Sequence, residues 1–385
     1  MWILHICHSY YPPFLDCARQ YNALFKGTTF KVLTVYLTGP ANDDVIVGSE
    51  SDEVVFLGYH SQQVSGLKIN AIIAIRALVK QRDFVFCIAH RVKPTYVALL
   101  ATSLPVVSVH HNYDDYQRWS RRLLVNVYQS RLLMLGVSNA VRDDLRRDLK
   151  TWDINKIQTL YNRINVEATV TQLLSKAEAR KQLAIPNEAW VVGNVGRLHH
   201  DKDQATLIRG FALALPTLAP NSLLAIMGDG PLEADLKQLV ADLNIDSQVL
   251  FLGKVPNAKQ YFKAFDVFAL SSDHEPFGMV LLEAMAAELP IICSNSGGGA
   301  EVVKDIGWLF ELSNPNALSV LMSEVYLSSV QLTKPISSMQ LTKPILKTLN
   351  AQFSDAAAKK AFWQLSFIKR LVEKNKDCNA RNHYL

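Results

Sequence analysis

Residues 271–286, "SSDHEPFGMVLLEAMA", close an apolar run, pass through a turn containing Pro276 and Gly278, and open a helical pattern. The run before it, "DVFALSS" (266–272), reads as a buried strand, and the spacing predicts a helix from about Phe277 through Glu288. Two carboxylates flank this strand-to-helix step, Glu275 in the loop and Glu283 on the second turn, eight residues apart. If wholly helical, eight residues span about 12 Å, on the order of the distance between the two sugars of a diphosphate-bridged ligand. The backbone N–H groups of Phe277, Gly278 and Met279 would lack intrahelical partners and favour an anion between the carboxylates. Gly278 would let a ligand approach the backbone.

The same rhythm of apolar run and helical pattern recurs along most of the 385 residues. The first half contains "WILHICH", "KVLTVYL", "EVVFLG", "FVFCIAH", "PVVSVHH", "LMLGVS" and "KIQTLYN"; the second contains "WVVGNVG", "SLLAIMG", "QVLFLG", "DVFALSS" and "PIICSN". Continuous apolar strands alternating with helices mean sheets covered on both faces, hence an α/β chain with two doubly wound parallel sheets. The rhythm breaks near "LYNRINVEATV", which places one domain over 1–165 plus a returning segment at about 357–385 and the other over 166–356. Ligands of such sheets bind beyond the carboxyl ends of the strands, so two facing sheets would form a site in the cleft between them. A closing helix is expected over "DAAAKKAFWQLSFIKRLVEK", with Phe362, Leu365, Ile368 and Leu371 recurring at helical intervals. The tandem "QLTKPISSM"/"QLTKPILKT" (331–348) reads as an insertion in a surface connection.

With 49% hydrophobic and 19% charged residues the chain has ample core, and its five scattered cysteines fit neither a disulfide framework nor a zinc cluster. The opening "MWILHICHSYYPPF" lacks the basic start and cleavage site of a secretory leader, and no run is long and apolar enough for a membrane span, so a cytoplasmic protein is expected. A net charge of +5 is mild, and nothing in it calls for a nucleic-acid partner. The basic residues bunch in "RWSRRLLVNVYQSR" (118–131), read as an amphipathic surface helix with Trp119, Leu123, Val127 and Leu132 near one face; a membrane-surface contact is the second reading.

Two carboxylates near a diphosphate would repel it, so the first reading demands cations. "VVGNVGRLHHDKDQATLIRGF" supplies Arg197 and Lys202 just after a strand and a glycine turn, a bidentate fork and a mobile point charge. Gly193 and Gly196 do not fit the dinucleotide fingerprint, and no Walker lysine follows, which disfavours hydride transfer and P-loop chemistry. Asp201 and Asp203 form an Asp-x-Asp pair, but Lys202 and Arg197 beside them disfavour a metal; His199–His200 and His110–His111 are adjacent rather than spaced as helical ligands. Gly228 and Gly230 in "AIMGDGPLEADL", and Gly253 in "LFLGKV", mark further strand-end turns. "PVVSVHHNYDDY" ends a strand in His110 and His111, either of which could face a ligand.

From "VVGNVGRLHHDKD" through "MGDGPLEADL" and "FLGKV" to "HEPFGMVLLEAMAAELPIICSNSGGGAEVV", the second half resembles the retaining family 4 glycosyltransferases of GT-B fold, the type that includes bacterial lipopolysaccharide-core and polysaccharide sugar transferases. The resemblance implies that Glu275 meets the donor hexose, with Phe277, Gly278 and Met279 beside sugar and phosphate, and that Glu283 holds the ribose. It implies that Arg197 and Lys202 grip the diphosphate, that Gly196 and Gly228 line the donor, and that Leu252 and Gly253 bracket the base. It also implies a strand-end histidine near the reacting carbon; counting from Pro105 favours His111, with His110 the alternative. Two departures stand out: "YYPPFLDCARQ" replaces the family's Gly-Gly turn, and Asn162–Arg163 replaces its Asn-Gly.

The resemblance implies a metal-independent, anomer-retaining hexosyltransferase without a resident cofactor. Its donor would be a nucleotide sugar, a UDP-sugar by family likeness, and its acceptor a glycan or lipid-linked saccharide in cell-envelope polysaccharide or lipopolysaccharide-core synthesis. Such an enzyme is expected in the cytoplasm, with a peripheral contact on the inner face of the plasma membrane through the 118–131 segment as the second reading of that helix. The alternatives are a nucleotide-sugar epimerase or phosphorylase of the same fold, and a sugar-nucleotide-binding protein without catalysis.

Overall fold

Among the described residues every strand is parallel to its neighbours, and the strands sort into two sheets. The computed structural model describes residues 1–11, 14–330 and 344–373; Pro12–Pro13, residues 331–343 of the duplicated segment, and 374–385 with Cys378 lie outside them. The chain divides into unit 1, Met1–Arg163 with Asp355–Leu385, and unit 2, Ile164–Ser354.

Unit 1 contains β1 (Trp2–Cys7), β2 (Lys31–Thr38), β3 (Glu53–Tyr59), β4 (Phe84–His90), β5 (Val106–His110), β6 (Leu132–Gly136) and β7 (Ile157–Thr159), in the order β3-β2-β1-β4-β5-β6-β7. β1, β4, β5 and β6 are buried almost residue for residue, as strands covered by helices on both faces must be. Strand order reverses between β1 and β4, and their carboxyl ends open there, the place where open α/β sheets leave a crevice.

Unit 2 repeats the plan with β8 (Val191–Val195), β9 (Leu223–Met227), β10 (Val249–Gly253), β11 (Val267–Leu270), β12 (Ile291–Ser294) and β13 (Trp308–Phe310), ordered β10-β9-β8-β11-β12-β13. Its switch point lies between β8 and β11, whose ends lead into Gly196–Arg197 and into Ser271–Glu275. The twelve apolar runs named from the sequence are all strands, and the two doubly wound sheets are those expected. β13 escaped notice because "WLF" is three residues long, too short to show a period.

Four expectations need correction. The helix after Glu275 is shorter than predicted, Met279–Ala286, because Gly278 at φ 90° holds the chain outside helical space. The closing helix is two pieces, Asp355–Gln364 and 366–373, parted at Leu365; Phe362 and Ile368 are buried nonetheless. Within 118–131 the helix covers only Trp119–Val127, and its apolar stripe faces outward, whereas Leu132 belongs to β6 and is buried. Part of the duplicated segment is also structural, since Ile345–Gln352 is a helix that buries Thr348 and Leu349.

Unit 2 is braced by a buried ion pair. Arg180, 1% exposed, donates to Asp266 Oδ2 at 2.7 Å and to the carbonyl of Ala264 at 2.9 Å, and Asp266 also accepts from the Val191 N–H at 2.7 Å. The bracing ties the Lys176–Gln182 helix to the starts of β8 and β11. Asp266→Ala leaves the guanidinium buried without its counter-charge, and urea unfolding is expected to show a loss of about 3–5 kcal/mol; a loss below about 1 kcal/mol would contradict the bracing role.

Candidate functional site

The strand ends around the unit 2 switch point are stitched together by backbone hydrogen bonds. Gly196 donates to the carbonyl of Met227 at 2.9 Å, Gly228 to that of Gly253 at 2.8 Å, and Leu198 to that of Asp229 at 2.9 Å. A Cβ on Gly228 would stand 1.9 Å from the Gly196 carbonyl oxygen, so the two turns are in van der Waals contact. Three of the sequence-named glycines, Gly196, Gly228 and Gly253, thus line one rim, with Leu252 beside them at the end of β10.

On the other side of the switch, Lys202 Nζ meets Glu275 Oε2 at 2.6 Å. Lys202 is 17% and Glu275 11% exposed, so the pair is largely withdrawn from water. The Ser272 hydroxyl donates to the same Glu275 oxygen at 3.3 Å, and Lys202 lies 3.7 Å from Asp201. The Lys202 loop is anchored by its own backbone, with Ser271 Oγ donating to the Lys202 carbonyl at 2.9 Å and Asp273 N to the Asp201 carbonyl at 3.2 Å. Arg197 is 70% exposed and reaches Asp201 at 3.5 Å, so its guanidinium stands at the mouth with only a loose partner.

Asp201 is a hub for three basic side chains, His199, Arg197 and Lys202. Burial pushes its carboxyl up, but the His199 hydrogen bond and the charges of Lys202 and Arg197 outweigh burial and hold it below the ordinary range. His199 Nδ1 lies 2.5 Å from Asp201 Oδ1. Asp203 caps the Gln204–Ala214 helix through the Thr206 N–H, so the Asp-x-Asp pair is divided between two structural tasks.

Glu275 is held from below by a feature that carried no role in the sequence reading, the glycine triplet 297–299. Gly298 donates to the Glu275 carbonyl at 2.8 Å, and a Cβ there would stand 2.2 Å from the carbonyl oxygen of Pro276. Any larger residue would push the Glu275–Phe277 loop off the Gly297–Val303 helix. The signal was present as three consecutive glycines beginning three residues after a strand's last residue. Met279 opens the next helix with N–H groups that lack acceptors within it; Glu283 lies half-buried on that helix, and Phe277 is buried against Phe353.

His111 belongs to unit 1, and the geometry separates it from its neighbour. His110 points into a closed network, Nδ1 to Asp115 at 2.6 Å and Nε2 to Ser108 Oγ at 2.8 Å. His111 lies on the opposite side of the alternating backbone and joins a row of buried imidazoles, His111–His90–His5, with nitrogen contacts of 2.8 Å each. His5 and His90, missed in the sequence reading, end or nearly end the two strands of the unit 1 switch point, the position that could have flagged them. Burial lowers His5 to about 4. Burial, Arg91 and His110 lower His111 to about 3 against the opposing pull of Asp115. His90 is lowered well below its ordinary value, by burial first and then by the neighbouring histidines.

These shifts make unit 1 acid-sensitive. Below the ordinary histidine value of 6.5 the unfolded chain binds protons that the folded chain refuses, so the stability is whole above 6.5 and drains as pH falls toward 4. Urea unfolding at pH 5.5 is expected to show a loss on the order of 2–3 kcal/mol from His5 and His111 relative to pH 7.5. A flat profile would contradict neutral burial.

The second unit has known counterparts. The family profile described as "Glycosyl transferases group 1" matches residues 175–337. The chain is 32% identical over 231 residues to the N-acetyl-alpha-D-glucosaminyl L-malate synthase of Bacillus anthracis, covering 57% of this chain and 58% of that protein. It is 29% identical over 188 residues to the lipopolysaccharide core biosynthesis glycosyltransferase LpsE of Rhizobium meliloti, covering 48% of this chain and 52% of the other. It therefore spans little more than half the length of the curated relatives it matches. Among solved structures, that of Anabaena Alr3699/HepE in complex with UDP-glucose is similar at a TM-score of 0.73 and 18% identity, covering 98% of this chain and all of that one, a likeness of fold. Residues 175–337 of this chain are thus similar to the glycosyl transferases group 1, and its two Rossmann-like units are those of the GT-B fold.

Proposed function

We propose that the protein transfers a hexosyl group, with retention at the anomeric carbon, from a nucleoside diphosphate sugar to a glycan or lipid-linked saccharide of the cell envelope. The observation that carries the reading is the Lys202–Glu275 pair at 2.6 Å, set at a β8/β11 switch point with Arg197 exposed beside it. A hexose offers hydroxyls that Glu275 can accept from, and a diphosphate offers oxygens that Lys202 and Arg197 can hold. As the sugar C1–O bond breaks, charge grows on the leaving diphosphate; the two cations and the helix start at Met279 are placed to stabilise it. The acceptor hydroxyl supplies the new C1–O bond, and its proton leaves on the departing phosphate. Gly196 and Gly228 would let the donor lie against backbone, Leu252 and Gly253 would flank the base, and Glu283 would hold the ribose. The solved relative from Anabaena holds UDP-glucose, which favours a UDP-sugar as donor. The relative from Rhizobium meliloti is described as acting in lipopolysaccharide core biosynthesis, which favours an envelope saccharide as acceptor.

Among the described residues no helix is long and apolar enough to cross a membrane. A peripheral contact is supported by the outward stripe of the Trp119–Val127 helix, where Trp119, Leu123 and Val127 are 70%, 56% and 67% exposed. Beside it lies a cavity of about 450 Å³ lined by Lys68, Lys93, Tyr96, Arg118 and Arg121. Burial and then the charges of Lys93 and Arg121 lower the Lys68 amine, as expected where cations crowd without an anion. An anionic lipid surface would satisfy both the apolar stripe and the cations.

Lys202→Ala and Glu275→Ala are each expected to lower kcat/KM for UDP-sugar turnover by about 10²–10³, measured beside a urea unfolding curve that confirms folding; near-normal turnover in both defeats the assignment. Trp119→Ser with Leu123→Ser is expected to weaken co-sedimentation with phosphatidylglycerol vesicles on the order of tenfold or more. Unchanged sedimentation would remove the membrane contact.

A further inference from the structure

The row of imidazoles in unit 1 has a direction. Asn22 donates its amide N–H groups to the Ser49 carbonyl at 2.7 Å and to Thr34 Oγ1 at 3.1 Å. The reverse orientation would set its amide oxygen against the Ser49 carbonyl oxygen, so Oδ1 faces His5 Nδ1 at 2.7 Å as an acceptor. His5 Nδ1 therefore carries hydrogen and, in the neutral ring, His5 Nε2 is bare. His90 Nε2, at 2.8 Å from it, must be the donor, which leaves His90 Nδ1 bare. His111 Nε2 must in turn donate to His90 Nδ1 at 2.8 Å, which leaves His111 Nδ1 bare, 3.8 Å from Cys17 Sγ. The stacked rings of His90 and His111, 5.1 Å apart at 19°, and the burial of all three leave water no place in the row.

We propose that Asn22, His5 and His90 are positioning residues that hold His111 as its neutral Nε2–H tautomer, so that Nδ1 is a hydrogen-bond acceptor for a ligand hydroxyl on the Cys17 side of unit 1. The hydroxyl ligand rests on the sugar-transfer reading; the tautomer does not. The row is a brace and not a proton wire. A proton placed on His111 Nδ1 could pass from ring to ring only as far as His5, because the Asn22 amide oxygen is no base, and the displaced charge would stay buried. Arg91, His110 and Asp115 are the charged or titratable groups that act on His111 besides His90 and Cys17; Arg91 and His110 disfavour its charged form and Asp115 opposes them. The same direction makes His111 an acceptor and unable to donate from Nδ1.

His5, His90 and Cys7 also offer nitrogen and sulfur atoms within 4.8 Å of one another, a set that could take a metal ion. A metal on His90 Nε2 would drive its hydrogen to Nδ1 and reverse the row, so the tautomers discriminate the two. The test is a two-bond ¹H–¹⁵N correlation spectrum of the ligand-free full chain labelled with ¹⁵N-histidine, at pH 6.5 with chelator and again with one equivalent of zinc, assigned against His111→Gln. The result expected under both conditions is hydrogen on His5 Nδ1, His90 Nε2 and His111 Nε2. His90→Phe, which keeps the stacked ring, should release His111 into a mixture of tautomers. Hydrogen on His111 Nδ1 in the wild type, a reversal with zinc, or an unmixed His111 in His90→Phe overturns the proposal. Because the spectrum is taken without ligand, its failure is distinct from a failure of the sugar-transfer reading, which the Lys202 and Glu275 variants test.

Discussion

A lysine and a glutamate 2.6 Å apart, both mostly withdrawn from water, are the contact on which the chemistry proposed for unit 2 depends. Neither charge could sit there alone, because stripping an ion of water costs several kcal/mol that only a close counter-ion and fixed hydrogen bonds offset. Each partner is held by a different strand end. Lys202 follows β8 and is anchored through its carbonyl to Ser271; Glu275 follows β11 and is anchored through its carbonyl to Gly298. The pair therefore joins the two sides of the switch point, and an anion entering there meets a lysine already positioned and a guanidinium with a loose partner.

Backbone packing, more than side-chain chemistry, sets that geometry. Gly298 brings a helix flush against the Glu275 loop, and Gly278 at φ 90° turns the chain so that the following helix starts at Met279 rather than earlier. The acidic residue and the helix start are thereby presented side by side.

The sheets were legible because buried parallel strands write continuous apolar runs, and the Glu275, Arg197 and Lys202 cluster was legible because strand ends place charged residues at one edge. Three things were not. The exact helix start depended on one glycine's φ, which composition does not show. The outward stripe at Trp119, Leu123 and Val127 has the same period as an inward one, so spacing could not say which way it faced. The imidazole row is assembled from β1, β4 and the residue after β5, and only the strand order, 3-2-1-4-5, makes those three strands neighbours. Counting from Pro105 favoured His111 and left His110 open, and alternation at the end of β5 separates them.

The central claim is that Lys202 reads a diphosphate. Its most direct test is calorimetric titration of UDP and UMP into the wild type and Lys202→Met. The account predicts that the wild type prefers UDP by on the order of 1.4 kcal/mol or more, a tenfold difference, and that this preference collapses in the variant while UMP affinity is kept. An equal preference for UDP in both proteins would contradict it.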